Sequence, residues 1–325
     1  MNDKSPPLLL EVSELSVEVQ SERGIGCAVD RVSFAIAAGE TLGLIGESGS
    51  GKSLSCLSVL RLNPRPGSRI SGGSIRFAGQ QLLDLDEAAM RAHRGRSIAL
   101  VLQDPMTALN PVLTIGDQIG ESLSLHRGLH GPARAPVAEK LLHQLRVADP
   151  PRVLRSYPHQ LSGGMRQRVV GAIALAGEPS LLIADEPTTA LDVTVQAAYL
   201  ALLRRLQRET GLAILFVTHD LGVVARICDR VAVMYGGRIV ETASAATLFS
   251  SASHPYSRAL LRAVPDVTKK QARLDSIPGQ PPSIFAERNG CLFAPRCAEA
   301  LPQCHEAVPP ETVLGPGHLV HCWAR

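Results

Sequence analysis

The sequence predicts an α/β fold, and three observations support that prediction. Short apolar runs typical of buried strands recur along the chain, among them Thr41–Ile45, Leu181–Ala184 and Ala213–Val217. Stretches with apolar residues at helical spacing separate these runs. The first run leads into Gly46-Glu47-Ser48-Gly49-Ser50-Gly51-Lys52-Ser53, which fits the phosphate-loop pattern G-x-x-x-x-G-K-[ST] at every fixed position. We therefore expect the core of a P-loop NTPase.

This loop has the chemistry to hold the phosphates of a nucleotide. Its glycines let the backbone wrap closely around an anion, and the following helix directs N–H groups and its positive dipole end toward that anion. We expect Lys52 to reach the β and γ phosphates and Ser53 to bind Mg²⁺. A glycine-rich turn that matches by chance is the alternative, and the strand and helix on either side argue against it.

Composition and charge narrow the classes of function. The chain has 325 residues, of which 45% are hydrophobic and 19% are charged, so it can bury a sizeable core. Its formal net charge of +3 is small for this length and gives no indication of a nucleic-acid partner. No apolar run approaches the roughly 18 residues that span a bilayer, and the first residues lack the pattern of a signal peptide. We expect a cytosolic chain that reaches a membrane through partners.

The residues on either side of the phosphate loop predict an antiparallel β edge. Leu8–Val19 alternates apolar and polar residues in part, which predicts an edge strand of a sheet. A glycine-containing loop at 24–26 leads to a second strand at Ala28–Ile36, and Gly72–Gly79 predicts a further short antiparallel strand between turns.

A helical subdomain follows, inserted into the α/β core at about 106–178. Ser97–Leu102 predicts a buried strand, after which the spacing of apolar residues becomes helical. Candidate helices lie near Gly116–His126, Val137–Arg146 and Gly163–Ala176.

Polar residues leave the predicted core strands where they can reach a bound nucleotide. Gln103 follows one strand and is suited to contacting Mg²⁺ or water. At the end of the next strand, Asp185 can hold Mg²⁺ through water and Glu186 can polarise an attacking water as general base. His219 follows the last strand, where a histidine can sense the γ-phosphate. Paired acids that cap a helix, and a structural histidine, are the alternatives.

The predicted helix start at Ser162 is a second place suited to an anion. This serine is a good N-cap, and Gly163 and Gly164 leave the backbone open. An ordinary capped helix is the alternative. Further along, Ala190-Leu191-Asp192 precedes a predicted helix at Val193–Arg208.

Taken together and in this order, these segments resemble the nucleotide-binding subunits of ABC transporters. The matching motifs are Walker A at Gly46–Ser53, the Q-loop at Gln103, the signature at Leu161–Gly164, Walker B at Leu181–Glu186, the D-loop at Ala190–Asp192 and the switch histidine at His219. The resemblance covers roughly residues 8–264. A phosphate loop alone would indicate only an NTPase, whereas its combination with the signature is highly specific.

The resemblance implies a mechanism. Two such domains pair head to tail, and each ATP lies between one Walker A motif and the signature of the partner. ATP binding closes the dimer and hydrolysis releases it. In that arrangement Glu186 orients the attacking water, His219 stabilises the γ-phosphate and Gln103 relays the motion to membrane helices. The residues implied in phosphate and Mg²⁺ binding are Lys52, Ser53 and Asp185.

Two positions depart from the family's pattern. Many members stack adenine on an aromatic residue at the end of the first strand, where this chain has Val19, so the adenine contact is open. The signature continues with Met165 instead of the commoner glutamine. We expect that change to be tolerated, because the anion-binding part precedes it.

The end of the chain resembles one branch of that family. His254-Pro255-Tyr256 opens a short predicted helix, and the proline-rich stretch at 265–285 predicts an extended linker. Four cysteines follow, at Cys291, Cys297, Cys304 and Cys322. This arrangement is similar to the peptide and nickel importer branch, in particular its dipeptide/oligopeptide ATPases. We expect a nucleotide-binding domain at 1–264 and a small Cys-rich C-terminal module at 265–325.

The clustered cysteines indicate a metal site, since disulfides are disfavoured in the cytosol. Four thiolates suit either an iron–sulfur cluster or zinc, and their spacings lack the paired C-x-x-C knuckles common in structural zinc sites. Members of the resembled branch carry a four-iron, four-sulfur cluster. On that resemblance we expect a 4Fe–4S cluster with a structural role, and zinc or unliganded cysteines are the alternatives.

The resemblance implies the ATP-hydrolysing subunit of an importer of di- or oligopeptides, peripheral to the cytoplasmic face of the inner membrane. Its implied partners are two membrane permeases, an extracytoplasmic substrate-binding protein and a second ATPase, identical or related. A nickel or metal-chelate importer is an alternative, because other subunits choose the cargo.

Two further classes lie outside transport. A soluble ABC ATPase that acts on ribosomes or DNA is the alternative from a different class; such relatives usually carry two tandem cassettes or a long coiled-coil insertion, and this chain has one motif set with a short helical insertion. A regulatory iron–sulfur protein with vestigial nucleotide binding is disfavoured because Glu186 and His219 are both present.

Overall fold

The computed structural model of the protein describes residues 7–189, 191–264 and 276–325. Its strands are β1 (Leu8–Ser21), β2 (Gly24–Ala37), β3 (Thr41–Ile45), β4 (Ser68–Phe77), β5 (Gln80–Gln81), β6 (Ile98–Val101), β7 (Leu181–Asp185), β8 (Ala213–Thr218), β9 (Arg230–Tyr235), β10 (Arg238–Ser244), β11 (Glu311–Gly315) and β12 (His318–His321). Its α-helices are α1 (Lys52–Val59), α2 (Glu87–His93), α3 (Pro105–Ala108), α4 (Ile115–Arg127), α5 (Arg134–Gln144), α6 (Pro150–Leu154), α7 (Gly163–Leu175), α8 (Val193–Thr210), α9 (Leu221–Ile227), α10 (Ala245–Ser251), α11 (Pro255–Arg262) and α12 (Gln303–Glu306).

The described residues divide into two compact units. The first, which we call the helical unit, consists of Pro7, Ala37–Glu40 and Asp84–Phe216, without residue 190. The second, which we call the phosphate-loop unit, consists of Leu8–Ile36, Thr41–Leu83 and the described residues from 217 onward.

The sheet of the helical unit contains β6, β7 and most of β8, with β7 in the middle. β6 and β7 run parallel, with Ile98 opposite Leu181. Every residue of β7 and β8 is buried. Burial on both faces explains why these strands are continuous apolar runs in the sequence rather than alternating ones. The helices from α2 to α8 belong to the same unit.

Local capping sets the ends of the longer helices in this unit. α4 begins after Thr114, which forms a reciprocal capping box with Asp117. α8 begins after Asp192 and ends at Gly211, whose φ of 72° few residues other than glycine adopt. The three helices predicted in the inserted segment are confirmed as α4, α5 and α7, each within three residues at either end.

One sheet of the phosphate-loop unit has the strand order β2-β1-β4-β5, and β1 pairs antiparallel with β4. The prediction of an edge strand at Leu8–Val19 is therefore wrong, because β1 lies between β2 and β4. The partial alternation of apolar and polar residues indicates only that one face of the strand is buried. Interior and edge strands of an antiparallel sheet can both have this pattern.

The predicted loop at 24–26 is also wrong, because these residues begin β2. Gly26 does not form a turn; it lies within the strand, where another side chain packs closely against it. A Cβ added there would lie 2.7 Å from Cγ1 of Ile284, so only a glycine leaves room for that side chain.

The other strands of the phosphate-loop unit follow the order β11-β12-β10-β9-β3. β3 and β9 are parallel, whereas β9 with β10, β10 with β12, and β12 with β11 are antiparallel. The hairpin at the end of the chain thus extends the row of strands that carries the phosphate loop. Of the predicted linker, residues 276–285 contain no helix or strand, and 265–275 lie outside the described residues. The domain boundary at 264 stays a prediction.

Candidate nucleotide-binding and catalytic site

The phosphate loop connects β3 to α1 and folds around the amino group of Lys52. Lys52 Nζ donates to the carbonyl oxygens of Gly46 and Glu47, each at 2.8 Å, and lies 3.2 Å from Ser50 Oγ. A Cβ added at Gly46 would lie 2.0 Å from the carbonyl oxygen of Met234 in β9. The close approach of loop and strand therefore requires a glycine, and it places a cation at the start of a helix, where phosphate is favoured.

His219 follows β8 in the phosphate-loop unit, and its side chain is exposed. Hydrogen bonds of the adjacent residues fix the backbone on either side of His219. The N–H of Asp220 donates to Thr218 Oγ1 at 3.0 Å. Oδ1 of Asp220 accepts the N–H of Gly222 at 2.8 Å, which caps α9. The imidazole thus projects from a fixed point on the main chain.

In the helical unit, the two acids predicted for Mg²⁺ and water lie at the end of β7, where Asp185 is the last residue of the strand and Glu186 follows it. Asp185 is buried, and Glu186 has a φ of 47°, which is uncommon for a residue with a side chain. Gln103 Nε2 donates to Glu186 Oε2 at 3.1 Å, and Thr189 Oγ1 donates to the same oxygen, also at 3.1 Å. These two bonds orient a carboxylate that stands on an unusual backbone, and such strained positions cluster at active sites.

The signature and the D-loop lie at the starts of α7 and α8. Ser162 Oγ accepts the N–H of Met165 at 3.4 Å, so Ser162 is the N-cap of α7 as predicted. Asp192 caps α8 by accepting the N–H of Val195 at 2.9 Å. A Cβ added at Gly164 would lie 2.8 Å from Cγ1 of Val195, so the second signature glycine allows the two helix starts to approach. Ala190 lies outside the described residues.

The structure distributes the predicted site residues between the two units. The helical unit contains Gln103, Ser162, Gly163, Gly164, Asp185, Glu186 and Asp192, and the phosphate-loop unit contains Gly46–Ser53 and His219. Of these, Gln103 and Glu186 are in direct contact. Val19 lies half-buried near the end of β1, opposite Ser68. Its relation to adenine stays a prediction.

Two residues that contact the phosphate loop were not predicted from the sequence. Both guanidinium NH groups of Arg296 contact the carboxylate of Glu47, at 2.7 and 3.1 Å, and the N–H of Glu47 donates to Tyr256 Oη at 2.9 Å. Tyr256 belongs to the His-Pro-Tyr segment, which served in the sequence only as a mark of the branch. Arg296 lies in the sequence between two of the clustered cysteines. The cysteine pattern predicted a metal site and gave no indication of a role for Arg296.

The four C-terminal cysteines are free thiols that line one small cavity. A backbone hydrogen bond of 2.7 Å from Cys291 to Cys304 joins two of their segments. The cavity has a volume of about 10 Å³, room for about one water molecule. Within 7–189, 191–264 and 276–325, no three His, Cys, Asp or Glu side chains lie in position to hold a metal ion. The cysteines are neighbours, but their sulfur atoms are not spaced as metal ligands.

Burial also affects the protonation of three of these thiols. It raises the pKa of Cys291 to about 11 and raises the pKa of Cys297 and Cys322 above that of a free thiol. A metal ion would therefore displace protons on binding. Four sulfur donors around one cavity form the donor set that zinc and iron–sulfur clusters prefer, so the residue types fit such a group and the cavity must widen to admit it.

Two protein-family models match the chain. The model described as ABC transporter matches residues 29–189, and the model described as oligopeptide/dipeptide transporter, C-terminal region, matches residues 240–304. The probable peptide ABC transporter ATP-binding protein y4tR of Sinorhizobium fredii is 49% identical over 320 residues, which cover 97% of this chain and 95% of that protein. The chain belongs to the ATP-binding subunits of ABC transporters. It is an ABC-family ATPase, as the motifs predict.

Another relative and a solved structure agree with this assignment. The dipeptide transport ATP-binding protein DppD of Bacillus subtilis is 44% identical over 317 residues, covering 98% of this chain and 95% of that protein. The dimeric ATP-binding cassette MJ0796, in a post-hydrolysis state bound to ADP and Pi, superposes with a TM-score of 0.66 at 28% identity, covering 73% of this chain and 99% of that chain. The predicted ABC ATPase fold is confirmed. Among the helices described, none is long and apolar enough to cross a membrane.

Proposed function

We propose that this ABC ATPase energises the import of di- or oligopeptides across the cytoplasmic membrane. The observation that carries the proposal is the match of residues 240–304 to the C-terminal region of oligopeptide and dipeptide transporters. The relatives at 49% and 44% identity, whose names refer to peptide and dipeptide transport, support it over nearly the whole chain.

The phosphate and Mg²⁺ contacts of one ATP are assigned by motif. Lys52 neutralises charge on the β and γ phosphates, and the backbone N–H groups of Gly46–Ser53 bind their oxygens. Ser53 would hold Mg²⁺ through its hydroxyl, and Asp185 would hold it through water. When bound, Mg²⁺ would neutralise negative charge on the phosphates.

Hydrolysis is assigned to the acid after β7. Glu186 takes a proton from a water whose oxygen attacks the γ-phosphorus, and ADP departs as the leaving group. Gln103 supports this role because its bond to Oε2 of Glu186 fixes the direction of the carboxylate. His219 stabilises the charge that develops on the γ-phosphate.

A second copy or a related ATPase completes the site. We infer that Ser162, Gly163 and Gly164 contact the γ-phosphate bound by the partner's phosphate loop, and that Asp192 lies beside that contact. The start of α7 is suited to this role, since Ser162 caps it and two glycines leave its first N–H groups accessible.

The assembly follows from the family. We infer two integral-membrane permeases, an extracytoplasmic substrate-binding protein and a second ATPase as partners, with this chain at the cytoplasmic face of the inner membrane. Peripheral attachment through permeases fits a chain whose described helices are all too short or too polar to span a bilayer.

We further propose that Cys291, Cys297, Cys304 and Cys322 hold a 4Fe–4S cluster, with zinc as the alternative. The shared cavity and the four sulfur donors support the proposal. The cluster would act as a staple for the module at 265–325, which has little apolar core of its own. Anaerobically purified protein should contain iron and acid-labile sulfide. Zinc without sulfide would favour the alternative. Protein that contains neither iron nor zinc would refute the metal site.

The cargo proposal is tested by uptake in cells that lack the gene. Cells complemented with the wild-type chain should take up a radiolabelled dipeptide, and cells complemented with Glu186→Gln should not. Glu178→Gln is the matched control, because Glu178 is an exposed carboxylate that pairs with Arg127 at 3.1 Å on the surface of the helical unit. It should restore uptake fully. Unchanged dipeptide uptake in the deletion strain, with uptake of nickel lost, would contradict the proposal.

A further inference from the structure

Glu47 of the phosphate loop is bound at its carboxylate, its N–H and its carbonyl group. Arg296 holds the carboxylate through two hydrogen bonds, and Tyr256 Oη accepts the N–H. Lys52 Nζ donates to the carbonyl oxygen at 2.8 Å. Two of these three contacts come from residues far along the chain, within the region 240–304 that marks the transporter branch.

The contact between Arg296 and Glu47 is shielded from water. The side chain of Arg296 is 6% exposed and that of Glu47 is 25% exposed. The hydrogen bonds to Glu47 raise the pKa of Arg296, so the guanidinium stays charged. A bidentate pair of this kind is stronger than a single neutral hydrogen bond.

The residues behind this contact are packed and fixed. Arg296 Nη1 lies 3.2 Å from Tyr235 Oη, and its Nε donates to the carbonyl oxygen of Pro278 at 2.8 Å. The ring of Phe293 packs against Tyr235 and Tyr256, with centroid distances of 5.2 and 5.4 Å. The loop is therefore held by a rigid cluster rather than by a mobile surface side chain.

The start of α11, which carries Tyr256, is anchored in turn by a buried acid. Glu241 is fully buried, and its carboxylate accepts the N–H groups of Ser253 and His254, at 2.7 and 3.0 Å. His318 Nε2 lies 2.8 Å from the same carboxylate and ties it to β12. The position of the Tyr256 hydroxyl is thus set by the sheet of the phosphate-loop unit.

Electrostatics gives this cluster a role in binding an anion. A carboxylate within the phosphate loop lies near the triphosphate and would repel it if it were unpaired. Arg296 neutralises that charge, and Tyr256 fixes the peptide plane that precedes the central part of the loop. Neither residue belongs to a nucleotide-binding motif of the sequence.

We propose that Arg296 and Tyr256 are positioning residues for ATP, which act through Glu47 by neutralising its charge and fixing its backbone. The proposal rests on ATP binding by this chain, and it would fail independently of the peptide cargo. It places the C-terminal segment in control of nucleotide affinity. Arg296 ends the short 3₁₀ turn Ala294–Arg296 directly before Cys297, so a change at the cysteine cavity lies one residue from the guanidinium.

The test is equilibrium binding of a fluorescent ATP analogue with Mg²⁺ to the full-length chain. Arg296→Met should raise the Kd about tenfold, equivalent to about 1.4 kcal/mol. Tyr256→Phe removes one oxygen atom and should raise the Kd about threefold. Arg325→Met is the matched control, because it removes an arginine from the same segment whose side chain donates to Glu299 and to the carbonyls of Ser253 and Ala324. Its Kd should equal that of the wild type.

A double variant distinguishes positioning from loss of structure. In Arg296→Met the unpaired Glu47 carboxylate repels ATP, so adding Glu47→Gln should return the Kd to within about threefold of the wild type. A general loss of structure would give a double variant that binds as weakly as Arg296→Met or more weakly. That result would refute the proposal, as would a Kd for folded Arg296→Met within twofold of the wild type. If Arg296→Met does not fold, an unchanged Kd in Tyr256→Phe refutes the role of the cluster.

Discussion

His254 makes the stability of the C-terminal segment depend on pH. The residue is 1% exposed, and its Nδ1 accepts the N–H of Tyr256 at 3.1 Å, which caps α11. Its pKa is lowered to about 3, chiefly by burial; His321, Arg258 and Arg325 act in the same direction and Glu299 acts in the opposite one. The folded protein therefore keeps this imidazole neutral, with Nδ1 as an acceptor.

The sign and size of the effect follow from linkage. An unfolded histidine has a pKa of about 6.5, so between pH 6.5 and 3 the unfolded state binds a proton that the folded state does not. The contribution of neutral His254 to the free energy of unfolding is fully present above about pH 7. It is lost as the pH falls through 6.5 toward 3. At about 1.36 kcal/mol per pH unit, the free energy of unfolding should fall by about 2 kcal/mol between pH 7 and pH 5.

Urea unfolding followed by tryptophan fluorescence measures this loss. Trp323 is the single tryptophan of the chain and lines the same cavity as His254, so its emission reports on this region. The matched variant is His254→Asn, because asparagine keeps an N-cap acceptor and does not titrate. The variant should lose about 2 kcal/mol less than the wild type between pH 7 and pH 5. Equal losses in the two proteins would show that His254 is not the source of this pH dependence.

Three further substitutions test the site and its support. Gly46→Ala should abolish binding of the fluorescent ATP analogue, because its Cβ would lie 2.0 Å from a carbonyl oxygen of β9; unchanged affinity would contradict the loop geometry. Glu186→Gln should lower ATP turnover by at least about 100-fold in a phosphate-release assay while binding is kept, and normal turnover would exclude Glu186 as the base. Glu241→Ala should lower the free energy of unfolding by about 3 kcal/mol in urea titrations, because it leaves two N–H groups without their acceptor. A loss below about 1 kcal/mol would contradict that anchoring role.

The sequence predicts the parallel core well, because strands that are buried on both faces consist of continuous apolar residues. β3, β7 and β8 are buried on both faces and appear as short continuous apolar runs, so their bounds could be read closely. The cap at Ser162 was predictable for a similar reason, since an N-cap depends on residues within one turn of the helix.

The parts that the sequence did not predict depend on long-range pairing. The interior position of β1 follows from its pairing with β4, which begins only at Ser68, and alternation alone does not specify neighbours. The contact of Arg296 with Glu47 joins residues 249 positions apart. Neither residue's type nor its spacing indicates the other, whereas the phosphate-loop pattern marks its own site because its ligands are contiguous.

If this ABC ATPase works within a peptide importer, it should be isolated together with the other subunits of that importer. Tagged protein should be purified from its native membranes in mild detergent, and the proteins that come with it identified by mass spectrometry. We expect two polytopic permeases together with this chain and a second copy or a related ATPase. Recovery of ribosomal proteins or DNA, with no permease, would contradict it.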